Sequence, residues 1–121
     1  TESLVNALNV SSYVIEYDPN GRVITVNDAY LELTGMKAKD IIGSHHSDNI
    51  EMSEKQKKGY QKFWKDLKNG SIRKETNKVN LSNKVYTFIE TYSPIFNENH
   101  EVVKILKIAH NITDFTSEKK D

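Results

Sequence analysis

Cysteine is absent from the 121-residue sequence, which excludes disulfides, thiolate metal sites and a cysteine nucleophile. A surplus of either charge is absent too. Lys+Arg and Asp+Glu stand at 17 each, so nothing basic draws the chain onto nucleic acid or anionic lipid. No apolar run approaches the ~18 residues of a membrane span and no signal-peptide pattern opens the sequence, so a soluble, cytoplasmic domain is expected. The patterns G-x-S-x-G, H-E-x-x-H and a phosphate-binding glycine loop are missing, leaving catalysis without a nucleophile, metal or oxyanion donor. With 36% hydrophobic and 28% charged residues, the chain has material for one small core and no second domain.

What is present concentrates in residues 18–46. Asp18-Pro19-Asn20-Gly21 has the chemistry of a turn, because proline presets φ and glycine accepts φ > 0. Val23, Ile24, Thr25 and Val26 are all β-branched and suit a strand. Asn27 can accept from the free N–H groups of a first helical turn, Asp28 suits the positive helix end, and Tyr30, Leu31 and Leu33 give that helix an apolar side. Gly35 stops it. A further helical turn is expected over 38–42, ended by Gly43.

This order of strand, V-N, short helix, T-G and D-I-I-G resembles the core of a PAS domain, the sensory module of bacterial histidine kinases and chemoreceptors. Gly43-Ser44-His45-His46, the stretch from Phe63-Trp64 to Asn69-Gly70, Tyr92-Ser93-Pro94-Ile95 and Ile112-Thr113 fall where that family has its later motifs. The likeness spans residues 4 to 117. It implies an α+β fold, a five-stranded antiparallel sheet with helices over one face and a short N-terminal helix. The division expected is an N-terminal helix in 1–11, a PAS core over 12–113 and the start of a linker helix in 114–121.

The remaining elements follow from local pattern. Leu4, Val5, Ala7 and Leu8 form the apolar side of a helix too short to stand alone. Strands are expected over 13–17 and 22–26, joined as a hairpin, and over 72–81, 85–96 and 102–112. Residues 50–58 read as a polar surface excursion with Ser53 a possible cap, and Tyr60, Phe63, Trp64 and Leu67 carry the i, i+3, i+4, i+7 stripe of the long helix. A two-residue tip at Glu98-Asn99 pairs Ile95 with Val102, Tyr92 with Ile105, Glu90 with Lys107 and Phe88 with Ala109. Glu90 and Lys107 then oppose each other on the face that the resemblance puts under the helices. A bulge at His100 would shift the register by one. The opposite face, with Val102, Leu106, Ile108 and Ile112, is too apolar to lie open to water and predicts a cover, either the N-terminal helix or a second copy.

The resemblance implies a ligand cavity between sheet and helices. Its expected lining from the first half of the chain is Val26, Asn27, Tyr30, Ile42 and His46. The long helix adds Phe63, Trp64 and Leu67, and the sheet adds Phe88, Glu90, Tyr92, Lys107 and Ala109. Adjacent histidines point apart, so one of His45 and His46 can face inward. A histidine in such a loop more often packs or caps than ligates haem iron, and His45, His46 and Asp48 lie too close together in sequence to surround a tetrahedral zinc. The helix at Phe63-Trp64 resembles that of flavin-binding aerotaxis sensors, but Ser47-Asp48-Asn49 replaces their Arg-His pair, and a light-driven cysteinyl adduct is excluded. No resident cofactor is therefore expected, with flavin and haem as the alternatives. A sensor of a small molecule stands against a purely structural dimerisation module. Signal output is expected through Asn111, Thr113 and Asp114, where Asn111 replaces the family's aspartate.

Overall fold

The computed structural model describes residues 12–48, 52–81 and 83–112. Its elements, in chain order, are β1 (Ser12–Tyr17), β2 (Val23–Val26), α1 (Asp28–Thr34), α2 (Ala38–Ile41), α3 (Glu54–Lys68), β3 (Arg73–Leu81), β4 (Lys84–Phe96) and β5 (Val102–Asn111). The five strands form one antiparallel sheet in the order β2-β1-β5-β4-β3. The expected N-terminal helix and the linker after Ile112 lie outside the described residues. Among those described, no helix is long and apolar enough to cross a membrane.

Local chemistry explains the first half. Asp18 Oδ1 accepts from the N–H groups of Asn20 (2.9 Å) and Arg22 (3.0 Å), closing the β1–β2 turn. Asn27 caps α1 by accepting from the Tyr30 N–H at 3.1 Å, and its amide donates to Ser12 O at 3.1 Å, so one side chain ties the helix start to β1. Gly35, at φ 70°, returns its N–H to Leu31 O.

The long helix begins earlier than the apolar stripe suggests. Ser53 accepts from the Gln56 N–H at 3.2 Å while Gln56 Oε1 accepts from the Ser53 N–H at 2.9 Å, a reciprocal capping box that opens α3 at Glu54. The polar stretch read as a surface excursion is thus helical in its second half. Lys55, Lys57 and Lys58 stay in water, and only Phe63, Trp64 and Leu67 become buried.

The β4–β5 register differs from the expected one by two residues. Tyr92 pairs with Lys107, Glu90 with Ala109 and Phe88 with Asn111. Two separate single-residue steps produce the shift. The tip holds three residues, 98–100, closed by the Asn97 N–H on Glu101 O, with His100 at φ 63°, and a bulge follows at Ile95/Phe96. Because side chains alternate with period two, two odd steps restore the original face. Phe88, Glu90, Tyr92, Ile105, Lys107 and Ala109 therefore still share the helix-covered side.

The core lies between this inner face and the helices. Ile15, Tyr17, Val23, Ile41, Phe63, Trp64, Leu67, Tyr92 and Ile105 form one buried cluster, with Leu67 and Ile105 fully enclosed. Arg73 binds α3 to the start of β3 through Asp66 Oδ2 at 2.7 Å and stacks over the Phe63 ring at 5.2 Å. The capping box predicts that Ser53→Ala lowers stability by about 1 kcal/mol in urea titration; a helix beginning at Tyr60 would leave that substitution silent.

Candidate functional site

The loop after α2 delivers a histidine into the interior. The Val23 N–H donates to Ser44 O and Val23 O accepts from the Gly43 N–H, both at 2.8 Å, and the His46 N–H donates to Gly21 O at 2.7 Å. Gly21 is required where the loop crosses the β1–β2 turn. Its φ is +93°, and a Cβ there would lie 2.9 Å from His45 Nε2. The two histidines diverge as expected, but His45 is not simply in water: its Nδ1 accepts from the Ser47 N–H, so Nε2 carries the proton and donates to Asn20 O at 2.7 Å.

His46 sits in an aromatic shell of Tyr17, Tyr60, Phe63, Trp64 and Tyr92. Its Nδ1 lies 2.8 Å from the Tyr60 hydroxyl and its Nε2 2.9 Å from the Tyr92 hydroxyl. Burial above all, then the nearby Lys107 and His45, pushes its pKa down to about 3, so the ring is neutral. The Tyr92 hydroxyl also points at Glu90 Oε1, 3.5 Å away. A carboxylate can only accept, so Tyr92 directs its proton there and accepts from His46 Nε2–H, leaving Nδ1 to accept from Tyr60. Burial and the Glu90 charge keep the Tyr92 phenol well above its usual pKa.

Glu90 ends this chain of bonds. Its Oε1 accepts from Asn77 Nδ2 at 2.7 Å, and its Oε2 is 3.3 Å from Lys107 Nζ. The side chains of Glu90 and Lys107 are only 7% and 14% exposed. They reach each other diagonally rather than from directly opposite positions. Lys107 also lies over the Tyr92 ring, 5.4 Å from its centre.

Two of the spaces that adjoin this network hold Glu90 or its partner Asn77. A cavity of about 110 Å³ lies beneath α1 and takes in Tyr30, Phe88, Glu90, Lys107 and Ala109 from the expected set. It also takes in Tyr13, Ile15, Leu33, Thr34 and Val79, which sequence reasoning did not name. A groove of about 500 Å³ between α3 and β3 takes in His46, Phe63 and Tyr92, with Tyr60, Arg73, Glu75 and Asn77 unforeseen. Pairing β3 with β4 would have revealed the β3 residues, since Arg73, Glu75, Asn77 and Val79 alternate onto the face of Glu90. Val26, Asn27, Ile42 and Leu67 line neither space. Asn27 is occupied as a cap, Ile42 is 48% exposed beyond the end of α2, and Leu67 is wholly enclosed in packing. Trp64 packs against Tyr17, His46 and Tyr60, with its indole N–H buried.

The residues do not fit the alternative cofactors. Haem ligation through either nitrogen of His46 would displace the tyrosine hydroxyl bonded there, and the cavity beneath α1 by itself is too small for the tricyclic ring of a flavin. No group of three metal-ligating side chains occurs among the described residues.

Two outcomes follow from the geometry. Lys107→Met strands a buried carboxylate and is expected to cost about 3 kcal/mol, whereas Glu90→Gln with Lys107→Met costs clearly less; equal losses in chemical denaturation would place the pair in solvent. For His46 the folded pKa lies below the unfolded value of 6.5, so the unfolded chain binds the extra proton. Its contribution to stability is complete above pH 6.5 and is lost progressively as pH falls toward 3. His46→Gln should flatten the fall in stability between pH 6.5 and 4.5, and an unchanged slope would refute a neutral buried ring.

Comparison with known proteins agrees with this architecture. The PAS domain family matches residues 10–114. The biofilm dispersion protein BdlA of Pseudomonas aeruginosa is 25% identical over 107 residues, covering 88% of this chain and 26% of that protein, so the chain spans about a quarter of that relative's length. The PAS domain of Bordetella pertussis BvgS superposes with a TM-score of 0.71 at 18% identity, over 99% of this chain and 93% of that one. Vibrio cholerae VqmA gives 0.69 at 20% identity, over 94% and 52% respectively. The chain belongs to the PAS domain family, a regulatory rather than a catalytic module.

Proposed function

We propose that this chain is the sensory domain of a bacterial signal-transduction protein, a cytoplasmic part of a histidine kinase or a chemoreceptor, and that it binds a small molecule between its sheet and helices. The observation that carries the reading is the ion pair Glu90–Lys107 on the wall of an otherwise mainly apolar cavity. A buried pair adds little stability over packed apolar side chains of similar volume. Glu75 also stands directly opposite Glu90 in the β3–β4 ladder, a like-charge arrangement that costs rather than contributes. A fold tolerates such local violations where function needs the groups. The relative BdlA, named for biofilm dispersion, supports a signalling role for the parent protein.

Output would leave through β5. That strand holds Lys107 and Ala109 inside and Asn111 at its end, and Thr113 and Asp114 lie just beyond, outside the described residues. A ligand that pulls on Lys107 therefore acts on the strand that leads to the next domain. The outer face of the sheet favours pairing of two copies: Ile89 and Ile95 are exposed there, beside the half-buried Val14, Leu106 and Ile108. In this reading the N-terminal segment and that face form the homodimer contact.

The test is to record the visible spectrum of the purified protein, release its contents by denaturation for mass spectrometry, and screen metabolites by thermal shift. A colourless protein that releases or is stabilised by one organic compound is expected, with the stabilisation abolished in Lys107→Met. No stabilising compound, with a cavity that stays empty, would favour the structural dimerisation module instead. In the parent protein, Thr113→Ala with Asp114→Ala should uncouple output while circular dichroism is unchanged; intact regulation would send the signal by another route.

A further inference from the structure

The cavity beneath α1 and the groove between α3 and β3 are separate spaces, and Glu90 on the cavity wall is reached from the groove side by Asn77 and, at longer range, by the Tyr92 hydroxyl. Glu90 belongs to the cavity wall and Asn77 to the groove wall, and the Asn77 amide reaches across to Glu90 Oε1 at 2.7 Å. The two partners differ in freedom. Glu90 is buried and held by Lys107, whereas Asn77 is exposed on β3, the last strand of the sheet. Turning Asn77 outward forfeits that one amide bond, and water can satisfy the freed amide. Glu90 Oε1 would then keep only the long contact with the Tyr92 hydroxyl, 3.5 Å, and could accept a shorter bond from the groove side.

We propose that cavity and groove are the two halves of one ligand site, that the Asn77 side chain is the latch between them, and that the ligand is a compact uncharged molecule whose amide-like edge replaces Asn77 on Glu90. This rests on the sensory reading above and names its ligand class. The chemistry of the wall sets that class. A carboxylate only accepts and an ammonium only donates, so a group meeting both presents an N–H beside a carbonyl or ring-nitrogen acceptor. Glu90 and Lys107 already neutralise each other, and Arg73 in the groove is engaged with Asp66 and Glu75. A charged ligand would enter without a counter-charge and lose its hydration uncompensated. Size points the same way. The cavity alone, about 110 Å³, falls below the roughly 300–1,000 Å³ of ordinary ligand sites, so a ligand of ordinary size that touches its polar wall must extend into the groove of about 500 Å³. Ile15, Leu33, Val79 and Phe88 offer an apolar slot for a single ring next to the polar pair.

Three probes of one size separate the possibilities: benzamide, benzoate and benzylamine, titrated into the isotopically labelled chain with amide spectra recorded throughout. Benzamide is expected to shift the Asn77 side-chain and the Glu90 and Lys107 backbone signals, and to bind at least tenfold more tightly than either charged probe. Asn77→Ala, whose spectrum also reports its fold, should tighten benzamide several-fold because the competing amide is gone. Glu90→Gln, which keeps the shape and removes the charge, should weaken it at least tenfold. Benzamide binding that changes less than twofold in Asn77→Ala overturns the latch and leaves the sensory reading standing. Benzoate or benzylamine binding as tightly as benzamide, or no binding of benzamide to either protein, overturns the ligand class.

Discussion

A carboxylate on the inner face of a central strand must be surrounded by donors, and much of the interior is arranged to meet that demand. Glu90 is met by an ammonium from β5, an amide from β3 and a phenol from its own strand. The phenol of Tyr92 passes the requirement on to His46, and His46 passes it to Tyr60 on α3. The polarity of every link follows from the charge at the end: because Glu90 accepts, Tyr92 donates, His46 takes the Nε2–H tautomer, and Tyr60 donates to Nδ1. Helix, loop and three strands thus share one hydrogen-bonded system, and each member is held in place by the next.

The aromatic shell gives the network its strength. Tyr17, Trp64 and Tyr92 meet the imidazole edge-to-face, while Phe63 and Tyr60 stack beside it. In that setting the imidazole stays neutral, since a proton on it would be buried near Lys107 with no carboxylate in direct contact. The cavity beyond is small because Tyr13 and Phe88 meet edge-to-face, 5.6 Å apart, within its lining. Solvent-facing charges hold the outside in a different way. Asp66 with Lys62 and Arg73, and Glu16 with Thr25 and Lys104, join neighbouring elements across exposed surface, where such pairs contribute little energy and mainly select geometry.

Local chemistry was legible in the sequence because each signal acts within a few residues. The Asp18 to Gly21 turn, the Asn27 cap, the Gly35 stop and the Asn69-Gly70 end of α3 are all decided by side chains bonding to nearby backbone. The start of α3 is legible only in part: Ser53 stands out as a possible cap, but a search for apolar periodicity passes over Gln56, which completes the capping box and opens the helix at Glu54. Val26, Asn27, Ile42 and Leu67 were assigned to the site by family likeness, and their own roles in capping, packing or exposure prevailed.

The sequence by itself determined the order of elements, the class of fold and which side chains of β4 and β5 share a face, because alternation along a strand survives any even error in register. Only the tertiary structure decided which partners meet. Whether Glu90 would find Lys107 depended on a three-residue tip and a bulge, each of which moves the register by one, so that the pairing survived through their combination. Asn77 was invisible as a functional residue for the same reason. Nothing in its neighbourhood in sequence marks it, and its contact with Glu90 exists only once β3 has been laid beside β4.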